Sequence, residues 1–437
     1  MSLVILDGTQ DDAGVGWHLR AYAEARHLPV THFALADMTL APCLGDFECW
    51  TKTPGRCRTQ DGAQDIAQAV RTASLVVFLT PIRFGGYSAN LKKAVDRLIG
   101  LVHPYFHDRD GLTRHQPRYA SYAPFLFIGI AEHDLGDAEQ PFNELAMGNA
   151  VNLIAPGYLA RIIVLADPGW RARLDETLAR AMGGDLEVPV SVPEASELFE
   201  ACRAEASASW DEKAPRSVTV LVGSARPKGT STSEWLADRL VAGFDKSECR
   251  VKKVYASQFI KLGRAADQAL EEMLASDMLI VAAPIYVDGL PYLVVSALEQ
   301  LAARLGEHPH ALCRMVGLLN CGYPEAIHNR LAMRMLRHFA RQGGLRWAGG
   351  LALGGGEALQ GGMRDVADWA ARNVVRALRM AAAALAGGGA IPAEATRLMA
   401  RPLVPARLYR WLARLHWLRS ARAHGLGGKQ LAARPWE

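Results

Sequence analysis

Five hydroxyl side chains crowd one short stretch of this chain. After the apolar run 218–222 the sequence reads Gly223-Ser-Ala-Arg-Pro-Lys-Gly-Thr-Ser-Thr-Ser233, and a helical pattern begins at Glu234. A strand that turns into a helix this way presents backbone N–H groups at the helix N-terminus. Ser224, Thr230, Ser231, Thr232 and Ser233 add hydroxyls and Arg226 adds positive charge, a donor set suited to a terminal phosphate. No Gly-Lys-Ser, Gly-Lys-Thr or Gly-x-Gly-x-x-Gly occurs there, which disfavours a nucleoside triphosphate or a dinucleotide turn. The same residue types also serve as ordinary helix caps. Two later loops leave strand ends on what must be the same side of a sheet, where open α/β folds bind ligands. In Ala283-Pro-Ile-Tyr-Val-Asp-Gly-Leu-Pro291, Pro284, Ile285 and Tyr286 offer a flat apolar wall for an aromatic ring system, while Asp288 and Gly289 leave backbone polar groups free. Asn320-Cys321-Gly322-Tyr323-Pro324-Glu325 follows another apolar run and can close the other edge of the ring.

The first half offers less. Its opening strand runs into Asp7-Gly-Thr-Gln-Asp-Asp-Ala13, one hydroxyl and three carboxylates where a phosphate dianion would sit, and like charges at short range oppose binding. Arg83 occupies the loop position matching Tyr286, where a cation can stabilise developing negative charge or form a surface ion pair. Cys43, Cys49 and Cys57 fall within fifteen residues. They are read as unligated thiols, with a redox-active Cys49–Cys57 pair as the alternative and no metal expected. His103, His107 and His133 show no metal-ligand spacing, and no Ser-His-Asp or paired-carboxylate arrangement stands out.

The elements that must position these residues follow from the apolar pattern. Val-, Ile- and Leu-rich runs alternate with helical spacing, as in βαβ units around a buried parallel sheet. The runs are 3–6, 75–79, 125–130 and 162–166 in the first half, and 218–222, 278–283, 315–319 and 345–353 in the second. At 437 residues, two domains are expected. A shift of 203 positions sets Leu75-Val-Val-Phe-Leu-Thr-Pro-Ile-Arg-Phe-Gly-Gly86 against Met278-Leu-Ile-Val-Ala-Ala-Pro-Ile-Tyr-Val-Asp-Gly289, which points to duplication. The expected organisation is 1–182 as a first domain with a degenerate phosphate loop, 183–216 as a linker carrying one short helix, 217–386 as the ligand-binding domain, and 387–437 as a basic helical extension. That extension carries nine Lys or Arg against two acidic residues, with Tyr409, Trp411 and Trp417 interleaved. It is expected to pack its aromatic face on the second domain or a partner subunit, with a membrane-surface helix as the sharper alternative. A net charge of only +4, with both signs interspersed, gives no nucleic-acid footprint. Neither the N-terminus nor the seven scattered cysteines suggest secretion, so a cytoplasmic protein acting on small molecules is expected.

The three loops of the second half resemble the flavin-contacting loops of the NADPH-dependent FMN reductase branch of flavodoxin-like proteins. The resemblance covers roughly 217–362, and it is specific because three separate loops agree in order and placement. Position 225 is Ala where that family often has Pro. It implies two tandem flavodoxin-like doubly wound parallel sheets of strand order 2-1-3-4-5, plus the C-terminal helical extension. By the same resemblance Ser224, Arg226, Ser231, Thr232 and Ser233 bind the FMN phosphate, with Thr230 beside them. Pro284, Ile285, Tyr286, Asp288 and Gly289, with Cys321, Gly322 and Tyr323, line the isoalloxazine ring, and Tyr286 stacks at the active face. The first half is similar to the same superfamily, and its cysteine loop looks like that of iron–sulfur flavoproteins, although Asp46 stands where cluster-bearing members have another Cys. The implied activity is transfer of two electrons from NADPH or NADH through FMN to a quinone, flavin or similar small acceptor. An FMN-binding electron carrier and a flavin-free scaffold are the alternatives. Relatives of this kind pair as dimers, so a homodimer or an intramolecular pseudo-dimer is expected.

Overall fold

A computed structural model describes residues 1–10, 14–136, 139–190, 192–205, 213–261, 263–307, 314–359 and 371–437. Asp11, Asp12, Cys313 and Gly362, on which parts of the sequence reading fall, lie outside them. The chain divides into two units, 1–192 with 410–437 and 193–409.

In the first unit, β1 (Leu3–Asp7), β2 (Val30–Ala34), β3 (Leu75–Arg83), β7 (Phe125–Ala131) and β8 (Tyr158–Val164) form a parallel sheet of order β2-β1-β3-β7-β8. The short β4 (Gly86–Tyr87) folds back on β3, while β5 (Val102–Arg109) and β6 (Leu112–Pro117) make a separate antiparallel hairpin. The central strands are continuously apolar because helices cover both faces of the sheet. Leu3 and Ile5 of β1 meet Val77, Leu126 and Ile128 in one core, which the helices Val15–Glu24 and Trp170–Met182 close with Leu19, Leu174 and Leu178.

The second unit repeats the plan. Its strands β9 (Ser217–Val222), β10 (Arg250–Tyr255), β11 (Met278–Pro284), β12 (Arg314–Asn320) and β13 (Arg346–Leu353) are parallel in the order β10-β9-β11-β12-β13. Counted within each unit, both sheets have the order 2-1-3-4-5, so the chain is two tandem flavodoxin-like α/β folds.

The duplication extends to backbone detail. β3 returns on β4 through Phe84 and Gly85, both at positive φ (56° and 74°), and Arg83 pairs with Gly86. At the matching place Val287 and Asp288 have φ of 45° and 60°, and Tyr286 pairs with Gly289. Two consecutive left-handed residues make a type I′ turn, the one that fits the twist of a hairpin. Valine is β-branched and poorly suited to that region, so Val287 holds strain that the flanking strand pair must offset.

The short helix expected between the domains is Ala195–Cys202. It is docked in the second unit, with Leu198, Ala201 and Cys202 buried and Glu197 bound by Arg330 at 3.1 Å. The C-terminal segment divides between the units. Ala393–Met399 buries Leu398 and Met399 in the second core, and the Thr396 hydroxyl donates to the Gly350 carbonyl at 3.1 Å. The helix Ala406–Ala423 begins in the second unit and ends in the first. There Trp417 packs edge-on against Phe47 and Trp50, with centroids 5.3 and 5.4 Å away. The aromatic face expected on the second domain or a partner therefore rests, at Trp417, on the first unit, where Trp50, Val102 and Ile99 provide the apolar surface. Buried Arg118 fixes the following residues by donating to the carbonyls of Leu431 and Ala433 at 3.0 and 2.7 Å. Among the described residues no helix is long and apolar enough to cross a membrane.

Candidate functional site

The C-terminal ends of β9, β11, β12 and β13 carry the three predicted loops and a fourth at 354–359. At the end of β9 the Gly223 N–H donates to the Ala282 carbonyl at 2.8 Å. A Cβ there would lie 2.4 Å from Val294 Cγ2 and 2.7 Å from Ala283 Cβ, so the turn needs glycine for close approach. Gly223→Ala should cost about 1–3 kcal/mol of stability through overpacking, read as a lowered denaturation midpoint with unchanged m-value.

Beyond Gly223 the hydroxyls divide by role. Thr230 and Thr232 donate to the carbonyls of Pro227 (2.6 Å) and Gly356 (2.9 Å). Ser224, Ser231 and Ser233 instead accept, from Arg226 N (3.3 Å), Glu234 N (3.1 Å) and Asn320 Nδ2 (2.8 Å). An accepting hydroxyl keeps its own proton to donate. Ser231 is at once the N-cap of the helix Thr232–Val241, so the capping role and the donor role coexist in one residue. All three serines are buried, while the tip 227–230 is exposed.

Arg226 reaches the Glu357 carboxylate at 3.1 and 3.3 Å, joining the first loop to the fourth. Burial raises the Glu357 carboxyl above its ordinary value against the pull of Arg226. Glu234, one turn into the helix, receives the Gly229 N–H (2.6 Å), Lys253 Nζ (2.8 Å) and the Tyr255 hydroxyl (2.8 Å). Burial opposes its ionisation, yet these bonds together hold it below the ordinary 4.5. A depressed carboxyl contributes stability that is present above its unfolded value and lost as pH falls through its folded value. Glu234→Gln should therefore cost about 1–3 kcal/mol at neutral pH, and the gap to the parent protein should close on acidification below 4.5 in pH-dependent denaturation.

The ring-facing loops are bound to each other. The Ile285 N–H donates to the Asn320 carbonyl (2.9 Å), and Asn320 Nδ2 donates to Ala283 O (3.2 Å) as well as to Ser233. Pro284, Ile285 and Tyr286 are half-buried, whereas Asp288 and Gly289 are buried in the hairpin. Cys321 is 3 % exposed, with its sulfur turned to Tyr323 O (3.3 Å) and Asn329 Nδ2 (3.4 Å), and its N–H and C=O bonded to Leu353 and Gly356. Burial pushes its thiol up to about 12. Its geometry is that of a fastener of the loop, while Gly322 is exposed and the half-buried Tyr323 ring lies 4.3 Å from that of buried His328. A Cβ on Gly322 would meet open space.

Asn320, Glu357 and Tyr409 belong to this constellation and were missed as site residues. Asn320 lies inside a quoted motif at a strand end, which was a usable signal. Tyr409, whose hydroxyl donates to Gly322 O at 2.7 Å, was marked only as part of the aromatic face expected to pack on the second domain, which it does.

The first unit has the same turn with a different filling. The Gly8 N–H donates to Leu79 O at 2.8 Å, as Gly223 does to Ala282. The Asp7 carboxylate then accepts from Thr9 N (2.9 Å), Thr9 Oγ1 (2.6 Å) and His32 Nε2 (3.0 Å), all buried. A Cβ on Gly16, in the first turn of the helix Val15–Glu24, would lie 1.7 Å from Asp7 Oδ2. An internal carboxylate thus sits at the helix end that would attract an anion. Arg83 is exposed at its hairpin. Among the described residues no three His, Cys, Asp or Glu converge as a metal site.

Residues 1–115 match the family model of NADPH-dependent FMN reductase. The chain is 35 % identical over 79 residues to an iron–sulfur flavoprotein of Methanocaldococcus jannaschii, covering 18 % of this chain and 39 % of that protein. It thus spans about two fifths of the curated relative it matches. Two similar solved structures are an azoreductase from Bacillus anthracis (15 % identity, 39 % of this chain and 98 % of that one, TM-score 0.29) and an NAD(P)H:quinone oxidoreductase from Methanothermobacter marburgensis (12 %, 39 % and 95 %, 0.29). The family match falls on the first unit, whereas the loop motifs that suggested the same family lie in the second.

Proposed function

Taking the chain as a two-unit relative of the NADPH-dependent FMN reductases, we propose that it is an FMN-dependent NAD(P)H oxidoreductase whose flavin binds in the second unit. The observation that carries this reading is the placement of the Ser224, Ser231 and Ser233 hydroxyls, each accepting a hydrogen bond and so able to donate, with the N-terminus of the helix Thr232–Val241 and Arg226 in the loop that follows β9, next to β11. This is the switch point of a 2-1-3-4-5 sheet, where such folds take their ligands.

The three serines, the helix N–H groups and Arg226 hold the phosphate, while Thr230 and Thr232 hold the loop that presents them. Pro284 and Ile285 form the wall against one side of the ring, and Gly322 and Tyr323 border the other. Asp288 and Gly289 fix the hairpin so that Tyr286 stacks at the active face, and Cys321 keeps the third loop in place. Bound FMN would supply the two-electron chemistry, accepting from NADPH or NADH and passing to a quinone, flavin or similar small acceptor. In the first unit Asp7 fills the anion position, which favours a single flavin per chain.

The test is to titrate the purified full chain with FMN, following its visible spectrum, and then to assay NADPH and NADH oxidation with and without a quinone. Saturable FMN uptake with quinone-dependent turnover supports the reductase. Uptake without turnover would instead support an electron carrier, and no uptake would overturn the flavin reading altogether.

A further inference from the structure

A second site, independent of the flavin reading, lies beside the cysteine loop of the first unit. There a cavity of about 560 Å³ is bordered by Glu48, Lys52, Arg56, Cys57, Arg58 and Gln64 among others. That volume suits a small molecule or a short peptide. The three cations of the wall outnumber its carboxylate. Glu48 is shared between Lys52 (3.4 Å) and Arg58 (3.0 Å), and Asp46 lies 3.8 Å from Arg58. Arg56 lies over the Trp436 ring and donates to the Pro435 carbonyl at 3.4 Å, and among the described residues it joins none of the ion pairs that hold Lys52 and Arg58. Cys57 is within electrostatic range of Arg58 and of Arg97.

The three thiols of the loop are not equivalent. Burial raises the Cys43 thiol to about 12 and holds that of Cys49 well above its ordinary value, so neither supplies a thiolate readily. Cys57 is the thiol that borders the cavity.

We propose that this cavity admits an anionic low-molecular-weight disulfide and that Cys57 is thiolated there by exchange. The Cys57 sulfur attacks one sulfur of the bound disulfide, forming a protein–small-molecule disulfide while the original S–S bond breaks. The second half leaves as a thiolate and takes up the proton lost by Cys57, so the disulfide itself is the oxidant. The cations raise the local concentration of the anionic reagent.

The test uses the reduced full chain and three probes: glutathione disulfide (anionic), hydroxyethyl disulfide (neutral) and cystamine (cationic). Adduct formation is followed by intact mass and mapped by peptide digestion, with Cys57→Ser as control. The expected result is a single adduct at Cys57, formed about tenfold or more faster with glutathione disulfide than with cystamine after each rate is normalised to free cysteine. The preference should shrink with added salt in the parent protein and in Arg56→Gln. Equal normalised rates, an adduct at Cys43 or Cys49, or loss of two hydrogen atoms through an internal disulfide would each overturn the proposal. The salt series keeps the test decisive if the Arg56 variant fails to fold.

Discussion

Replacing Arg226 with alanine should weaken FMN binding roughly 100-fold while leaving riboflavin binding nearly unchanged. A hydrogen bond to a charged group contributes about 1.5–3 kcal/mol, or roughly 10- to 150-fold in affinity. The structure adds a second loss, because Arg226 is also the counter-ion of Glu357 at 3.1 Å. Without the guanidinium, a carboxylate would face the incoming phosphate dianion with nothing between them. The double variant Arg226→Ala/Glu357→Gln should therefore bind FMN about tenfold more tightly than Arg226→Ala alone. Fluorescence titration with both flavins measures this. Equal losses for FMN and riboflavin would mean that Arg226 supports the fold of the loop and does not contact the phosphate.

Asp7→Ala should destabilise the first unit by about 2–5 kcal/mol, because each buried donor left without its acceptor costs about 1–3 kcal/mol. The substitution strands His32 Nε2 and both donors of Thr9, all of which bond the carboxylate. Denaturant unfolding of the full chain should show the first unit's transition moving to lower denaturant, with FMN retention unaffected. Loss of flavin in this variant would instead assign the cofactor to the first unit, the part that matches the FMN reductase model.

The contrast between those residues and the neighbouring loops shows what a sequence can reveal. β1, β3, β7, β9, β11 and β12 were legible because they are buried on both faces and so read as continuous apolar runs. Of the edge strands, β13 was read as 345–353 and β8 in part as 162–166, but β2 and β10 were not. Val30–Ala34 and Arg250–Tyr255 are largely half-exposed, and Arg-Val-Lys-Lys-Val-Tyr looks like a loop until its hydrogen-bonding partner is known. The β5–β6 hairpin was missed for the same reason, since His, Asp and Arg break its apolar pattern. In the site, the Ser/Thr-rich turn announced itself by composition. The division of its hydroxyls between donors to carbonyls and acceptors from N–H groups did not. Nor did the Arg226–Glu357 and Tyr409–Gly322 contacts, whose partners stand 131 and 87 residues apart. Such pairs exist only once the sheet has set its strand order.

Residues 410–437 rejoin residues 1–192, so the whole second unit interrupts the first. During synthesis the second unit can be complete when Tyr409 emerges from the ribosome, whereas Trp50 and Arg118 still await Trp417, Leu431 and Ala433. The half of the protein that is translated first is thus the half that finishes folding last, reversing the usual N-to-C order of domain maturation.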